Sequence, residues 1–394
     1  MRILAISPCV PAECMRGYQV LSFYRLLHLS RKHQILLVCF GHTAEDVDSM
    51  NRLKSLGVTV QMVRWRPFVA VASMFLAMFN ISKPFQCALY ESPEYRDAVA
   101  TAIAQFQPDL IYGITIRSLG NITKNDIPLV LDMVDSMALN LSRRRDLANS
   151  LTRVAISAEY KRIHKCEREI TGRALCSFVV SKHDKEFIKD ENVKVLPLGI
   201  DTSIFTKDPD ESLDPTVSFT GNMFYTPNVD AVMWFYRFCW RELRLAVPGV
   251  RLIIAGNNPR REVSNLALED GVTVTGHVES MASILNQSRL SIAPMQSGSG
   301  MQFKILEAMA CGIPVVTTSI GLGDIAAVNG RDILVADTPD TFTQAVISLL
   351  QSQAMRERIG IASVQFVERN HSWHALNDSF EQTILSALRD NQID

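Results

Sequence analysis

The residues best suited to binding chemistry lie in one stretch of the second half of the chain. Apolar residues 290–293 predict a short buried strand ending at Pro294, and a helix is predicted from Met301 to Cys311. The loop between them contains Gly298 and Gly300, whose backbone N–H groups can approach an anion closely, and the helix N-terminus adds partial positive charge. Because Lys304 follows in the first turn, the stretch predicts a phosphate-binding site.

Glu307 extends this pattern by one helical turn. Its carboxylate can accept a pair of hydrogen bonds from the two hydroxyls of a ribose. Two other interpretations stay open at this point. The glycines could form a strand-to-helix turn that binds nothing, and Lys304 with Glu307 could be a surface pair worth a few tenths of a kcal/mol.

The hydrophobic pattern places these residues in the second of two α/β domains. Short apolar runs alternate with helical patterns, as in parallel sheets covered by helices on both faces. A charged, turn-rich segment, 199–215, interrupts the alternation and predicts the linker. We therefore predict two doubly wound, Rossmann-like domains facing across a cleft, 1–198 and 199–374, with 375–394 packing back on the first. Open sheets of this kind bind ligands at the carboxyl ends of their strands.

Residues 294–316 resemble the donor-binding signature of the retaining glycosyltransferases of family 4, which have the GT-B fold. Further segments that resemble the family are Phe219–Ala231, Val274–Val278, Val180–Asp184 and Pro197–Asp201. The first of them is similar to the branch associated with bacterial exopolysaccharide systems. The resemblance implies transfer of a hexose, with retention, from a nucleotide-diphosphate sugar to a saccharide or lipid-linked saccharide. It implies no metal and no other cofactor, with UDP or GDP as the expected nucleotide.

The resemblance also carries residue roles, with two departures from the family pattern. The family has two glutamates with seven residues between them. The second matches Glu307, but the first falls at Ser299, where backbone N–H groups are expected to replace it. The family often has arginine and lysine after the position of Gly221, where this chain has Asn222, Pro227 and Asn228, so Lys304 is expected to supply the missing charge. The predicted donor-binding residues are Gly221, Asn222, His277, Val278, Gly298, Ser299, Gly300, Met301, Gln302, Lys304 and Glu307.

The first domain contributes a second group of candidates. The loop 11–17 resembles the mobile acceptor-side loop of the family, with Arg16 and Gly17 near the donor phosphate or the acceptor. An ordinary strand-to-helix loop is the alternative. Asp135 follows a buried strand, where it could bond a sugar hydroxyl or stabilise positive charge at the anomeric carbon. Alternatively it caps a long polar helix predicted from about 135 to 171. Asp135, Lys304 and Glu307 are the predicted catalytic residues.

Composition narrows the partners and the location. A net charge of −1 gives no bulk attraction to nucleic acid. Eight scattered cysteines without a CxxC pair predict reduced thiols in a cytoplasmic protein and no metal site. The longest apolar stretch, 69–79, is shorter than the ~20 residues that a membrane span needs. Residues 65–85, rich in aromatic side chains and flanked by basic residues, predict either an interfacial helix at the inner face of a membrane or a buried core helix.

Three other activities fit the two-domain pattern. A sugar-nucleotide epimerase would use carboxylates in the site and no acceptor. A nicotinamide-dependent dehydrogenase would need Gly-x-Gly-x-x-Gly after an early strand, where this chain offers only Gly17. A non-catalytic sugar-nucleotide binder is suggested by Ser299. The favoured interpretation is a retaining hexosyltransferase of bacterial polysaccharide biosynthesis, with a nucleotide sugar and a saccharide or lipid-linked acceptor as partners, and with peripheral membrane contact as a further expectation.

Overall fold

The computed structural model describes most of the chain as two separate units. The described residues are 1–13, 18–78, 83–122, 125–146, 150–208, 214–297 and 301–391. One unit comprises Met1–Pro197 with Leu376–Asp394, and the other comprises Leu198–Ala375. The predicted site residues outside the described residues are Arg16, Gly17, Gly298, Ser299 and Gly300.

The first unit is built on a parallel sheet. Its strands are β1 (Arg2–Ser7), β2 (Gln34–Gly41), β3 (Thr59–Arg64), β4 (Leu110–Ile114), β5 (Leu129–Val134), β6 (Cys176–Val179) and β7 (Val193–Val195). Its helices are α1 (Tyr18–Ser30), α2 (Ala44–Ser55), α3 (Pro67–Met78), α4 (Phe85–Ala88), α5 (Pro93–Phe106), α6 (Met137–Asp146), α7 (Ser150–Thr171) and α8 (Lys182–Ile188). Among the described residues the strand order is β3-β2-β1-β4-β5-β6-β7. The order reverses between β1 and β4, which is where such sheets open a crevice at their carboxyl ends.

The long helix predicted from 135 to 171 is wrong as a single element. Two helices, α6 and α7, occupy this segment, and they pack against each other. Leu141 on α6 and Ile163 on α7 are buried in the same apolar cluster. Burying an apolar face of each helix against the sheet outweighs the propensity for one continuous helix, because most helix stability in proteins comes from such packing.

The second unit repeats the architecture. Its strands are β8 (Thr216–Thr220), β9 (Arg251–Ala255), β10 (Val272–Gly276), β11 (Leu290–Ala293), β12 (Val315–Thr317) and β13 (Leu334–Val335). Its helices are α9 (Thr226–Phe235), α10 (Arg241–Ala246), α11 (Arg261–Ser264), α12 (Met281–Asn286), α13 (Phe303–Ala310), α14 (Ser319–Leu322), α15 (Pro339–Gln351) and α16 (Gln353–Asn370). The last helix, α17 (Trp373–Asn391), belongs to both units. A π-helical segment, Tyr236–Trp240, joins α9 to α10. Within the described part of this unit the parallel strands run β10-β9-β8-β11-β12-β13, so the reversal falls between β8 and β11.

Helix α17 begins in the second unit and continues in the first. In the second unit, Trp373 lies so close to Gly199 that a side chain at that glycine would overlap the indole ring. In the first unit, Phe380 is fully buried against Tyr112 and Phe178, with ring centroids 5.5 and 4.7 Å away. The last helix therefore completes the core of the first unit. No helix within the described ranges combines the length and the apolar character that crossing a membrane requires.

Candidate functional site

The carboxyl edge of the second sheet brings three chain turns together. After β8, the Gly221 N–H donates to the Ala255 carbonyl at 2.9 Å, and after β9, the Gly256 N–H donates to the Gly276 carbonyl at 3.0 Å. Both glycines have positive φ, 152° and 149°. A Cβ on Gly256 would lie 1.6 Å from the Gly221 carbonyl oxygen, so only glycine permits this approach. The two glycines therefore hold the turns after β8, β9 and β10 close together, next to the point between β8 and β11 where the strand order reverses.

Lys304 lies at this reversal, buried with 8% of its surface exposed. Its ammonium donates to Asn228 Oδ1 at 2.5 Å and lies 3.4 Å from Gln302 Oε1 and 3.6 Å from Met295 Sδ. The nitrogen is also 5.0 Å from the centroid of the Phe219 ring. Burial lowers the pKa of Lys304 to about 8, and the charge of Glu307 opposes that shift. Lys304 is thus a cation held by neutral neighbours and only partly compensated.

Glu307 lies one turn further along α13 and is half-buried. Burial raises the pKa of its carboxyl to about 7, against the opposing effect of Lys304. Among the described ion pairs within 4.0 Å, none joins these two side chains. Burial lowers the pKa of the lysine and raises the pKa of the glutamate, because it disfavours the charged form of each. A polar ligand that bonds to either charged form would offset this cost.

The helix that carries both residues is shorter than predicted. It begins at Phe303 rather than Met301, and Gln302 adopts extended backbone angles before it. Met301 and Gln302 are half-buried and belong to the loop that enters the helix. Lys304 is consequently the second helical residue, where the helix dipole disfavours a cation in the absence of an anion.

The remaining predicted donor residues lie on neighbouring turns of the same edge. His277 is exposed just after β10, and its Nδ1 lies 2.8 Å from Asn257 Oδ1. Val278 next to it is half-buried. Asn222, directly after Gly221, accepts a hydrogen bond from the Phe224 N–H at 3.1 Å through its own side chain. The structure thus places the described candidates of the second unit after β8, β10 and β11 of one sheet.

The sequence analysis missed the side chains that hold Lys304. Asn228 is the most closely bonded of them, and Met295 and Phe219 complete its surroundings. A signal was present in the spacing, because Asn228 shares the apolar stripe of α9 with buried Val232 and Phe235. An amide on an otherwise apolar stripe indicates a specific polar partner.

In the first unit, Asp135 follows β5 with its side chain exposed. Its Oδ2 accepts a hydrogen bond from Asn140 at 2.7 Å, while Ser136 Oγ, not Asp135, accepts the helical N–H of Leu139 at 3.1 Å. Desolvation by the surrounding protein raises the pKa of Asp135, partly offset by the hydrogen bond from Asn140. The helix-capping alternative is therefore wrong, and the carboxylate stays accessible at the sheet edge.

Two backbone features mark the same edge. Thr115 after β4 and Val134 at the end of β5 have φ of 56° and 68°, a region that β-branched residues rarely adopt. The Thr115 hydroxyl is buried without a hydrogen-bond partner. Strain of this kind is concentrated at functional sites. Asp132, in contrast, is buried inside β5 in an ion pair with Arg25 and serves the core.

Buried carboxylates that the sequence analysis did not single out fix the chain after Asp135. Ser136 donates its N–H to Asp184 Oδ1 at 2.9 Å and its hydroxyl to Glu167 Oε2 at 2.8 Å. Burial raises the pKa of Glu167 to about 7, and the Ser136 hydroxyl counteracts it. These contacts hold the segment that carries Asp135 in one conformation.

Comparison with known proteins shows similarity to glycosyltransferases. Residues 214–352 match the family model described as "Glycosyl transferases group 1". The chain is 24% identical over 164 residues to an uncharacterized 44.6 kDa protein in the cps region of Klebsiella pneumoniae, covering 39% of this chain and 42% of that one. It is 25% identical over 221 residues to D-inositol 3-phosphate glycosyltransferase of Segniliparus rotundus, covering 50% and 48%. The chain thus spans less than half the length of both relatives.

A solved structure covers nearly the whole chain. Anabaena HepE, in complex with UDP and glucose, superposes with a TM-score of 0.65 at 15% identity over 98% of this chain and 100% of that one. The predicted fold class of two parallel-sheet, Rossmann-like domains of the GT-B type is confirmed. The match to the group 1 model lies within the second unit and includes the β8–β11 edge with Lys304.

Proposed function

We propose that this chain is a retaining glycosyltransferase that transfers a hexose from a nucleotide-diphosphate sugar to an alcohol acceptor. The observation that carries the proposal is buried Lys304, held by Asn228 at the β8–β11 reversal of a group 1 domain. A cation at this edge suits a diphosphate, because negative charge accumulates on the leaving group in the transition state. The solved neighbour that contains UDP and glucose supports the same class of donor.

The roles of the other residues follow from their chemistry. Glu307 accepts hydrogen bonds from the donor ribose, and His277 with Val278 lies beside the base. The backbone from Gly298 to Gln302 binds phosphate and sugar oxygens. In the first unit, Asp135 is our candidate for a contact with a sugar hydroxyl. The leaving phosphate oxygen takes the proton of the acceptor hydroxyl, so the transfer needs no separate protein base.

We propose UDP or GDP as the nucleotide and a saccharide or lipid-linked saccharide as the acceptor, with Arg16 and Gly17 on the acceptor side. No metal and no further cofactor takes part in this scheme. Polysaccharide biosynthesis in bacteria is the proposed setting, since Phe219–Ala231 resembles the exopolysaccharide-associated branch of the family. The scheme assigns diphosphate neutralisation to Lys304 alone among the described residues of this edge.

We further propose that the protein is cytoplasmic and touches the inner face of a membrane through α3. A fully buried core helix is wrong for this segment, because one face of α3 is exposed. Phe68, Val71, Phe75 and Leu76 are 87%, 64%, 59% and 68% exposed, and Ala70 and Ala77 bury the opposite face. Helix α3 contains no charged residue. An exposed apolar stripe of this composition suits the boundary between lipid headgroups and acyl chains.

The test begins with a thermal-shift screen of UDP-, GDP- and ADP-sugars. A donor at 100 times its dissociation constant should stabilise the protein by about 2.7 kcal/mol. The donor that binds is then incubated with and without a saccharide acceptor, and the products are separated by chromatography, with the anomeric configuration read by NMR. Acceptor-dependent release of nucleoside diphosphate with retained configuration supports the proposal. Conversion of the sugar without acceptor indicates an epimerase, inversion contradicts retention, and binding without turnover indicates a non-catalytic binder.

A further inference from the structure

Asn228 connects two elements at the β8–β11 edge and is itself buried, with 6% of its surface exposed. Its Nδ2 donates to the Asn222 carbonyl at 3.0 Å, which fixes the turn after β8. Its Oδ1 accepts from Lys304 Nζ at 2.5 Å, which fixes the lysine of α13. The amide nitrogen and the amide oxygen of Asn228 therefore each form a hydrogen bond with a different part of the site.

The surroundings leave little room for another arrangement. A Cβ at Gly221 would lie 2.8 Å from Asn228 Nδ2 and 3.3 Å from Lys304 Cε, so a larger residue there would displace both side chains. The other contacts of the lysine nitrogen are longer, to Met295 Sδ at 3.6 Å and Gln302 Oε1 at 3.4 Å. Asn228 is thus the closest hydrogen-bond partner that the structure describes for this ammonium.

The chemical nature of this partner matters as much as its position. An amide oxygen can orient an ammonium group without a formal charge, so the cation keeps its attraction for an anion. A carboxylate at the same place would form an ion pair and cancel most of that attraction. The other contacts of Lys304 are a thioether, an amide and an aromatic ring, all uncharged. The charged group that acts on Lys304 is Glu307, one turn along the same helix.

We propose that Asn228 is a positioning residue for the transfer reaction: it holds Lys304 toward the donor diphosphate and leaves the lysine charge available. The inference rests on the proposed function, because it assigns the anion as the diphosphate of the donor. Asn228 acts through Lys304 and through the turn at Asn222, and touches no reacting atom.

This arrangement predicts that the protein takes up protons when a diphosphate binds, which can be measured. Burial lowers the pKa of Lys304 to about 8, so near pH 8 the free protein holds a mixture of ammonium and neutral amine. A bound diphosphate favours the ammonium, and binding at pH 8 therefore takes up about half a proton. We expect the uptake to depend on Asn228, because its Oδ1 accepts a hydrogen bond from the ammonium at 2.5 Å, in addition to the favourable charge of Glu307.

The experiment is calorimetry of UDP binding at pH 8 in two buffers of different ionisation enthalpy, with uridine as the phosphate-free control. The proteins are wild type, Asn228→Ala, Asn228→Asp and the control Asn377→Ala. Asn377 is also a buried asparagine, 3% exposed, whose amide donates one hydrogen bond, to the Tyr24 carbonyl at 3.2 Å in the first unit. GDP with guanosine forms a second arm that covers the other proposed nucleotide.

We expect Asn228→Ala to weaken diphosphate binding by roughly 10-fold or more, the effect of losing a hydrogen bond to a charged group. Its proton uptake at pH 8 should rise, because the unsupported ammonium has a lower pKa. Asn228→Asp should weaken diphosphate binding as well but abolish proton uptake, because the carboxylate keeps Lys304 charged. Uridine or guanosine affinity should stay within about twofold in all variants, and Asn377→Ala should bind like wild type.

Unchanged diphosphate affinity in Asn228→Ala, or equal losses for nucleoside and diphosphate, would overturn the positioning role and leave the transferase proposal intact. Identical proton uptake in wild type and Asn228→Asp would overturn it in the same way. Failure of wild type to bind UDP and GDP would instead contradict the proposed donor site, and the role of Asn228 with it. Circular dichroism of each variant shows whether the fold is retained, and Asn228→Asp, nearly identical in size, provides the test if Asn228→Ala unfolds.

Discussion

Replacing Lys304 with methionine removes one positive charge from the β8–β11 edge and keeps most of the aliphatic stem. The side chain is 8% exposed, so bulk water screens its charge poorly. An ammonium and a phosphate oxygen about 4 Å apart attract by about 4 kcal/mol at an effective dielectric constant of 20. Loss of one preorganised transition-state donor costs about 2.7–4 kcal/mol. Both values predict that turnover falls by roughly 10²–10³ in Lys304→Met.

The assay is acceptor-dependent release of nucleoside diphosphate, measured from pH 6 to 9.5. Because burial lowers the pKa of Lys304 to about 8 in the free protein, wild-type kcat/KM for the donor should fall on the alkaline side as the ammonium is lost. Lys304→Met has no such group and should be low at every pH, with no alkaline fall centred near 8. The variant should still fold, since methionine suits the apolar contacts with Phe219 and Met295.

The control is Lys54→Met, which removes an exposed lysine from α2 in the first unit. Its turnover should match wild type. Near-normal turnover in folded Lys304→Met would refute the assignment of the diphosphate charge to this residue. Arg260, which contacts the Phe224 carbonyl at 2.8 Å beside the same edge, would then be the next residue to replace.

Three further expectations concern other parts of the molecule. Glu307→Ala should weaken donor binding, measured by calorimetry, by about 1.5–3 kcal/mol. Since burial raises the pKa of Glu307 to about 7, wild-type affinity should also decline below pH 7 as the carboxylate is protonated. Unchanged donor affinity in Glu307→Ala removes the residue from the site. Phe75→Asp should abolish flotation with anionic liposomes. Leu268→Asp in the second unit should not, although Leu268 is 86% exposed and Phe75 59%. Wild type that fails to float contradicts the membrane proposal. Burial raises the pKa of Glu381, but hydrogen bonds from Lys32 and His28 outweigh this effect and lower it. The ionised carboxylate therefore stabilises the folded protein above its unfolded pKa, and this stabilisation is lost as the pH falls through the folded pKa. Glu381→Gln should therefore cost about 1.5–3 kcal/mol of unfolding free energy at pH 7, and in urea titrations this cost should shrink as the pH is lowered below 4.5. A cost that does not change with pH excludes the ionic contribution.

The fold could be predicted from the sequence because its strands are buried on both faces. Residues 35–40 read as one apolar run, and β2 forms there with only its first residue exposed. The residues at which helices begin and end were harder to predict. The segment after Asp135 reads as one helix, yet it forms α6 and α7, since packing of two apolar faces is a tertiary effect that local periodicity does not contain.

The candidate site was predictable only in part. Lys304 and Glu307 stand out by spacing and by resemblance, but their shifted pKa values depend on burial that a sequence does not display. Asn228 precedes Lys304 by 76 positions, so their hydrogen bond exists only because β8 and β11 are neighbours in the sheet. The roles of Gly298–Gly300 remain predictions, as that loop lies outside the described residues.

The division of the first unit between two distant parts of the chain has a consequence for synthesis on the ribosome. Phe380 packs on Tyr112 and Phe178, and its ring lies 4.5 Å from the guanidinium carbon of Arg25. All of these partners emerge before Leu198–Ala375 has been translated. At typical elongation rates of about 5–20 residues per second, they wait roughly ten seconds or longer for the phenylalanine. We expect the nascent chain to expose, during that interval, the apolar groove that α17 later fills, which is the kind of surface that chaperones bind.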